Sequence, residues 1–164
     1  MKLNNKIEID FLEFFKTGKF DYLKLGQTKE WVRNNFPDPD HKEFEHNIWQ
    51  YGNIELHFYE DELFLIFSDY LQVLSGGKSL ELKKWILDTP DLLTLEYVIS
   101  KLNEEKIDFT KVHHKICKNV IEITITDSNV QLTFIDYDEA DINPNQYMLS
   151  SFGLMNKPWI KEQK

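Results

Sequence analysis

The side chains able to do chemistry in this chain are few and scattered. His113, His114 and Cys117 form the densest group of soft ligands, and imidazole with thiolate makes a good zinc set. A closed zinc site takes four ligands, yet Cys117 is the only cysteine in the chain. Adjacent histidines on a strand also point to opposite faces, so no metal is expected there. Asp136, Asp138, Glu139 and Asp141 resemble the opening of a calcium loop, which requires glycine at its sixth position and glutamate at its twelfth. Counted from Asp136, those positions hold Asp141 and Tyr147. The segment reads as a solvated acidic loop suited to docking a basic partner.

Nucleophile patterns fare no better. A lone cysteine such as Cys117 is more often a small apolar residue than a catalytic thiol. Ser75-Gly76-Gly77-Lys78, followed by Ser79, ends like a phosphate-binding loop but lacks the long glycine spacing of one. His41 and His46 fall in a polar stretch without the paired-histidine helix of a zinc protease. No catalytic residue and no cofactor are expected. The candidates that remain are for binding: Glu55, His57 and Tyr59, which alternate with Ile54, Leu56 and Phe58, together with Asp136, Asp138 and Glu139. Aromatic residues are 14% of the chain, and Tyr and Trp are favoured anchors at interfaces.

The elements that must position these residues follow from periodicity. Ile7, Phe11, Phe14 and Phe15 have helical spacing, which predicts a helix near 8–17 closed by Gly18. Thr28 is placed to cap a second helix through Val32 and Phe36, which Pro37 and Pro39 terminate. Alternation with period two predicts strands at 53–58 and 63–67, with Phe58 inward. A hairpin is expected through Leu71 and Val73, turning at 75–78 and returning through Leu80 and Leu82. Leu95, Val98, Ile99 and Leu102 predict a helix over 95–106 capped by Thr94, and alternation resumes at 120–126 and 130–135, with Phe134 inward. The tail from Asp136 reads as acidic, then loosely apolar to Trp159, with a frayed end at Lys161–Lys164. Helices grouped beside hairpins give an α+β fold with antiparallel sheet and helices packed on one side. The expectation is one domain over 1–164, possible to divide into 1–88 and 89–164, whose halves echo one plan without aligning residue by residue.

Composition limits the partners. The net charge is −9, and it is spread evenly, with 14 acidic against 9 basic residues before Glu81 and 14 against 10 from there on. Arg33 is the only arginine, and nucleic-acid backbones need clustered cations, so no nucleic-acid partner is expected. The apolar run Leu63–Phe67 is too short to span a bilayer, and no signal-peptide stretch follows Met1. The cytoplasm is the expected compartment, with no membrane partner.

One segment resembles a known pattern. Leu25-Gly26-Gln27-Thr28 with Val32, then Phe36-Pro37-Asp38-Pro39-Asp40, then Trp49-Gln50-Tyr51-Gly52 is similar to L-G-x-T-x-x-x-V, G-x-P-D and W-x-Y-G. This module of small bacterial helix–helix–sheet proteins also occurs in the barrel-assembly lipoprotein and the β-lactamase-inhibitor protein. Similar segments occur in small cytosolic proteins encoded beside bacterial toxins. Phe36 departs from the pattern's glycine-type residue, and no lipid-attachment cysteine is present. The resemblance implies a non-catalytic immunity or inhibitor protein that neutralises a basic toxin domain. The alternatives are a small enzyme using Glu55, His57 and Asp69, and an adaptor that self-associates through its sheet.

Overall fold

A computed structural model describes residues 6–43 and 47–156; the expectations for His46, Trp159 and Lys161–Lys164 lie outside the described residues. The chain opens with β1 (Ile7–Asp10), α1 (Phe11–Thr17) and α2 (Lys29–Asn35). A first meander follows: β2 (His41–Glu43), β3 (Ile48–Tyr51), β4 (Ile54–Tyr59) and β5 (Glu62–Ser68). β6 (Leu80–Lys83) and α3 (Leu95–Glu104) then lead to a second meander of β7 (Phe109–His113), β8 (Val120–Ile125), β9 (Gln131–Ile135) and β10 (Met148–Met155). The fold is α+β, with an eight-stranded sheet in the order β2-β3-β4-β5-β10-β9-β8-β7 and every neighbour antiparallel.

Three expectations are corrected. The first helix starts only at Phe11, because Asp10 is its cap and accepts hydrogen bonds from the amides of Leu12 and Glu13; Ile7 belongs to β1. The hairpin over 71–82 does not form. Leu71–Val73 is a 3-10 turn, and β6 pairs in parallel with β1, Ile7 opposite Leu80. The segment read as a loosely apolar tail contains β10, which occupies the middle of the sheet between β5 and β9. Its serines and glycine sit on the half-exposed face and hide the alternation.

The two meanders are copies of one design. In the first, Tyr59 pairs with Glu62, Phe58 with Leu63 and His57 with Leu65, so Phe64 is bulged. In the second, Ile135 pairs with Met148, Phe134 with Leu149 and Thr133 with Ser151, so Ser150 is bulged at the corresponding step. The helix caps match as well: Thr28 bridges Glu62, and Thr94 bridges Met148. The Lys29 amide donates to Asp61 and the Leu95 amide to Tyr147, both near 2.9 Å. Where the copies meet, Phe152 pairs with Ser68, Gly153 with Phe67 and Leu154 with Ile66. Under the equivalence Phe67 and Gly153 are the same position, so a local two-fold axis passes through that pair. Two large side chains would crowd each other there. A Cβ on Gly153 would stand 3.5 Å from the Phe67 ring, so one phenylalanine roofs over the position that glycine leaves open.

The helices bury one face of the sheet. Phe11, Phe14 and Phe15 of α1 set their rings 5.3–6.1 Å from Phe152, and Phe36 after α2 stacks edge-on against Tyr51 at 5.5 Å. Leu95, Val98 and Leu102 of α3 join the same buried cluster, as do Phe58 and Phe134. The Tyr51 hydroxyl donates to the Pro37 carbonyl at 2.7 Å. Its burial, reinforced by Asp38 and Asp40, pushes its pKa well above the ordinary tyrosine value.

Candidate functional site

The face of the sheet turned away from the helices is half-exposed, and three of the six predicted binding residues lie on it. Glu55, His57 and Tyr59 are alternate residues of β4 and are all partly buried. His57 Nε2 and Glu55 Oε2 are 2.9 Å apart, a side-chain contact open to them because residues i and i+2 of a strand share one face. Cross-strand partners complete the patch: Gln50 faces Glu55, and Ile48 faces His57. Phe67 faces Glu55 and Leu65 faces His57 from the other side. The rings of Phe64 and Phe67 stand edge-on to the imidazole at 6.2 and 6.4 Å. The result is an ionisable pair framed by aromatic and aliphatic side chains.

Charge distinguishes this face. β3, β4, β5, β8, β9 and β10 contain no lysine or arginine, although the chain has 19. The open-face positions of these strands do hold carboxylates, Glu55 opposite Gln50 and Glu122 opposite Thr133. His114 Nε2 lies 3.9 Å from Glu122. Sequence reasoning missed Phe67 and Glu122. The missing signal was the cation-free composition of strands that had not all been identified as neighbours.

The other predicted residues sit elsewhere. Asp136 follows Ile135, the partner of Met148, whereas the strand row of His57 runs through Leu65 to Met155. Met148 and Met155 are opposite ends of β10, so the acidic loop lies roughly 20 Å from His57 along the strands, at ~3.3 Å per residue. Asp136 is buried, while Asp138 and Glu139 are exposed. Asp69, the third member of the enzymatic alternative, lies four residues beyond Leu65, roughly 13 Å along the strand. It lines a groove with Phe67, Thr133 and Ser151, and neither Glu55 nor His57 reaches that groove.

The remaining sequence motifs have structural partners. The glycine loop that ends like a phosphate loop already holds an anion, the Asp40 carboxylate. Its oxygens accept from the Gly52 amide at 2.6 Å and the Lys78 amide at 3.1 Å. Gly77 has φ +66°, and a Cβ there would collide with that carboxylate, so glycine is required. Ser79 Oγ donates to the Asp38 carbonyl at 2.5 Å. His113 Nε2 contacts the Lys118 carbonyl at 2.5 Å, and Cys117 is exposed. No three His, Cys, Asp or Glu side chains among the described residues gather closely enough to hold a metal ion. No helix among the described residues is long and apolar enough to cross a membrane. Comparison with protein-family models, with curated proteins and with solved structures yields no match.

Proposed function

We propose that this chain is a non-catalytic binding protein of the immunity or inhibitor type, whose open sheet face docks a basic protein, a bacterial toxin domain. The observation that carries the reading is the absence of lysine and arginine from the six inner strands, with Glu55 facing Gln50 and Phe67 near one end of the sheet and Glu122 facing Thr133 and Val112 near the other. Apolar floor and carboxylates together suit a partner that presents lysines and arginines around an apolar centre. The overall charge of −9 supports the same partner through electrostatic steering. Association is the step that salt should slow, since the screening length is only ~8 Å at physiological ionic strength.

The test is coexpression with toxin domains encoded in the same genome, scored by survival and by binding kinetics. Glu55→Gln with Glu122→Gln should lower the association rate and flatten its salt dependence. Phe67→Ala should instead speed dissociation, at a cost of about 2 kcal/mol. If no toxin is neutralised and the purified chain turns over a small molecule, the enzymatic alternative replaces this reading.

A further inference from the structure

The two edges of the large sheet are counterparts across the local two-fold axis, and they carry different charges. Lys42 of β2 matches Lys111 of β7, but Glu43 is matched by Val112. Between Asp108 and Glu122 the chain holds Lys111, His113, His114, Lys115 and Lys118 and no carboxylate, in a molecule whose net charge is −9. Residues 110–118 are all exposed. None of the three lysines forms an ion pair with a described residue. The apolar members of the stretch are uncovered as well, Val112 at 56% exposure and Ile116 at 96%.

The backbone of this edge is open too. The His114 amide donates to the Val120 carbonyl at 3.0 Å, and the Thr126 amide to the Asp108 carbonyl at 2.9 Å. Ladder bonds of an antiparallel pair fall on alternate residues, so Thr110 and Val112 turn theirs towards β8. Phe109, Lys111 and His113 therefore turn their amides and carbonyls away from it. The register with β8 is unbroken from Phe109 to His113 and the strand has no proline, so bulge and proline, two common ways of closing an edge, are absent from it. Lysine is the device that remains, and it discriminates by sign. Two copies meeting edge to edge would crowd the Lys111 and His113 of both into a few residues. Side-chain direction narrows the fit further. Lys111 and His113 lie opposite Ile123 and Ile121 on the helix side of the sheet, whereas Thr110 and Val112 lie opposite Thr124 and Glu122 on the open face. A strand added here meets cations on one side and small or apolar side chains on the other.

We propose that the free edge of β7 binds an extended acidic segment of a partner protein, which alternates carboxylates with apolar residues and joins the sheet as an added strand. Main-chain bonds to Phe109, Lys111 and His113 hold the segment, and the alternation of its side chains gives selectivity. Lys115 and Lys118, in the turn after β7, receive acidic residues that run past the end of the strand. This edge is distinct from the open face, and the inference does not rest on the function proposed for that face.

The test is ¹⁵N NMR with amide hydrogen exchange on the full chain, using a peptide that alternates glutamate and valine as the probe. Its lysine–valine counterpart, a version N-methylated along one edge, and a short DNA oligonucleotide serve as controls. The glutamate peptide should bind saturably and slow exchange at Phe109, Lys111 and His113 by about tenfold or more. Thr110 and Val112, already bonded to β8, should change little. The lysine peptide and the N-methylated peptide should protect none of the three amides. Lys111→Glu should weaken the glutamate peptide by about fivefold or more and admit the lysine peptide. Should that variant lose its spectral dispersion, Lys115→Gln with Lys118→Gln in the exposed turn carries the test and should weaken binding several-fold. Protection of the three amides in the free chain that rises with protein concentration would give the edge to a second copy and overturn the proposal. Shifts without protection, tighter binding of the oligonucleotide, no saturable binding, or unchanged affinity in the folded variants would overturn it too. Coexpression with toxin domains reads the open face separately, so failure of either reading leaves the other standing.

Discussion

The two meanders share register, bulge and helix cap, yet they diverge in a selective way. Their inward residues repeat: Leu56 matches Leu132, Phe58 matches Phe134, and Leu63 matches Leu149. Their outward residues do not, with Glu55, His57 and Tyr59 matched by Gln131, Thr133 and Ile135. Packing against helices restricts the inner set to residues of one size and polarity, whereas the outer set is free to differ. The open face is thus where the copies have separate characters. One end carries the Glu55–His57 pair, and the other ends in the acidic loop.

The seam should give the largest effect when this comparison is challenged. Phe152 lies against three phenylalanines of α1, whereas its two-fold mate is the smaller, aliphatic Ile66. Phe152→Ala should cost about 4 kcal/mol in urea unfolding, and Ile66→Ala less. Equal losses would mean that α1 does not favour the second copy. A smaller effect separates the copies by pH. Tyr51 occupies the slot that Ile125 fills in the second meander, and burial, then Asp38 and Asp40, raise its pKa. Above pH ~10 the unfolded chain ionises this tyrosine while the folded chain keeps its proton. Stability should therefore fall above that pH, by up to ~1.4 kcal/mol per pH unit. Tyr51→Phe should remove most of the decline in alkaline denaturation, leaving a shallow remainder from Tyr22, whose pKa is raised by burial and Asp21. The smallest test is for equality. Thr28 Oγ1 caps Trp31 at 3.1 Å and Thr94 Oγ1 caps Tyr97 at 3.2 Å, so each Thr→Ala should cost about 1 kcal/mol. A twofold disparity in thermal melts would show that the caps are equivalent in geometry alone.

Much of the fold was legible wherever one local rule dominated. Thr28, Thr94 and Gly18 announced helix ends, and Ile54-Glu55-Leu56-His57-Phe58 announced a strand by strict alternation. What failed depended on non-local pairing. β1 and β6 are short and pair in parallel across the chain, a contact that neither segment encodes alone. The repeat was audible only as an echo, because it resides in register and bulge while residue identities agree mainly at inward positions. Of the candidate site, alternation placed Glu55, His57 and Tyr59 on one face. It could not show that the loop of Asp136 lies at the far end of β10, nor that Asp136 itself is buried.

The axis through Phe67 and Gly153 has a consequence for stoichiometry. A sheet made from two separate identical chains would offer a partner two equivalent orientations, and any inserted loop would be present twice. Here both copies belong to one chain, so the loop at 136–147 occurs once. The face therefore has a direction, with the His57 patch at one end and the acidic loop at the other. A partner engaging both ends can dock in only one orientation, one molecule to each sheet.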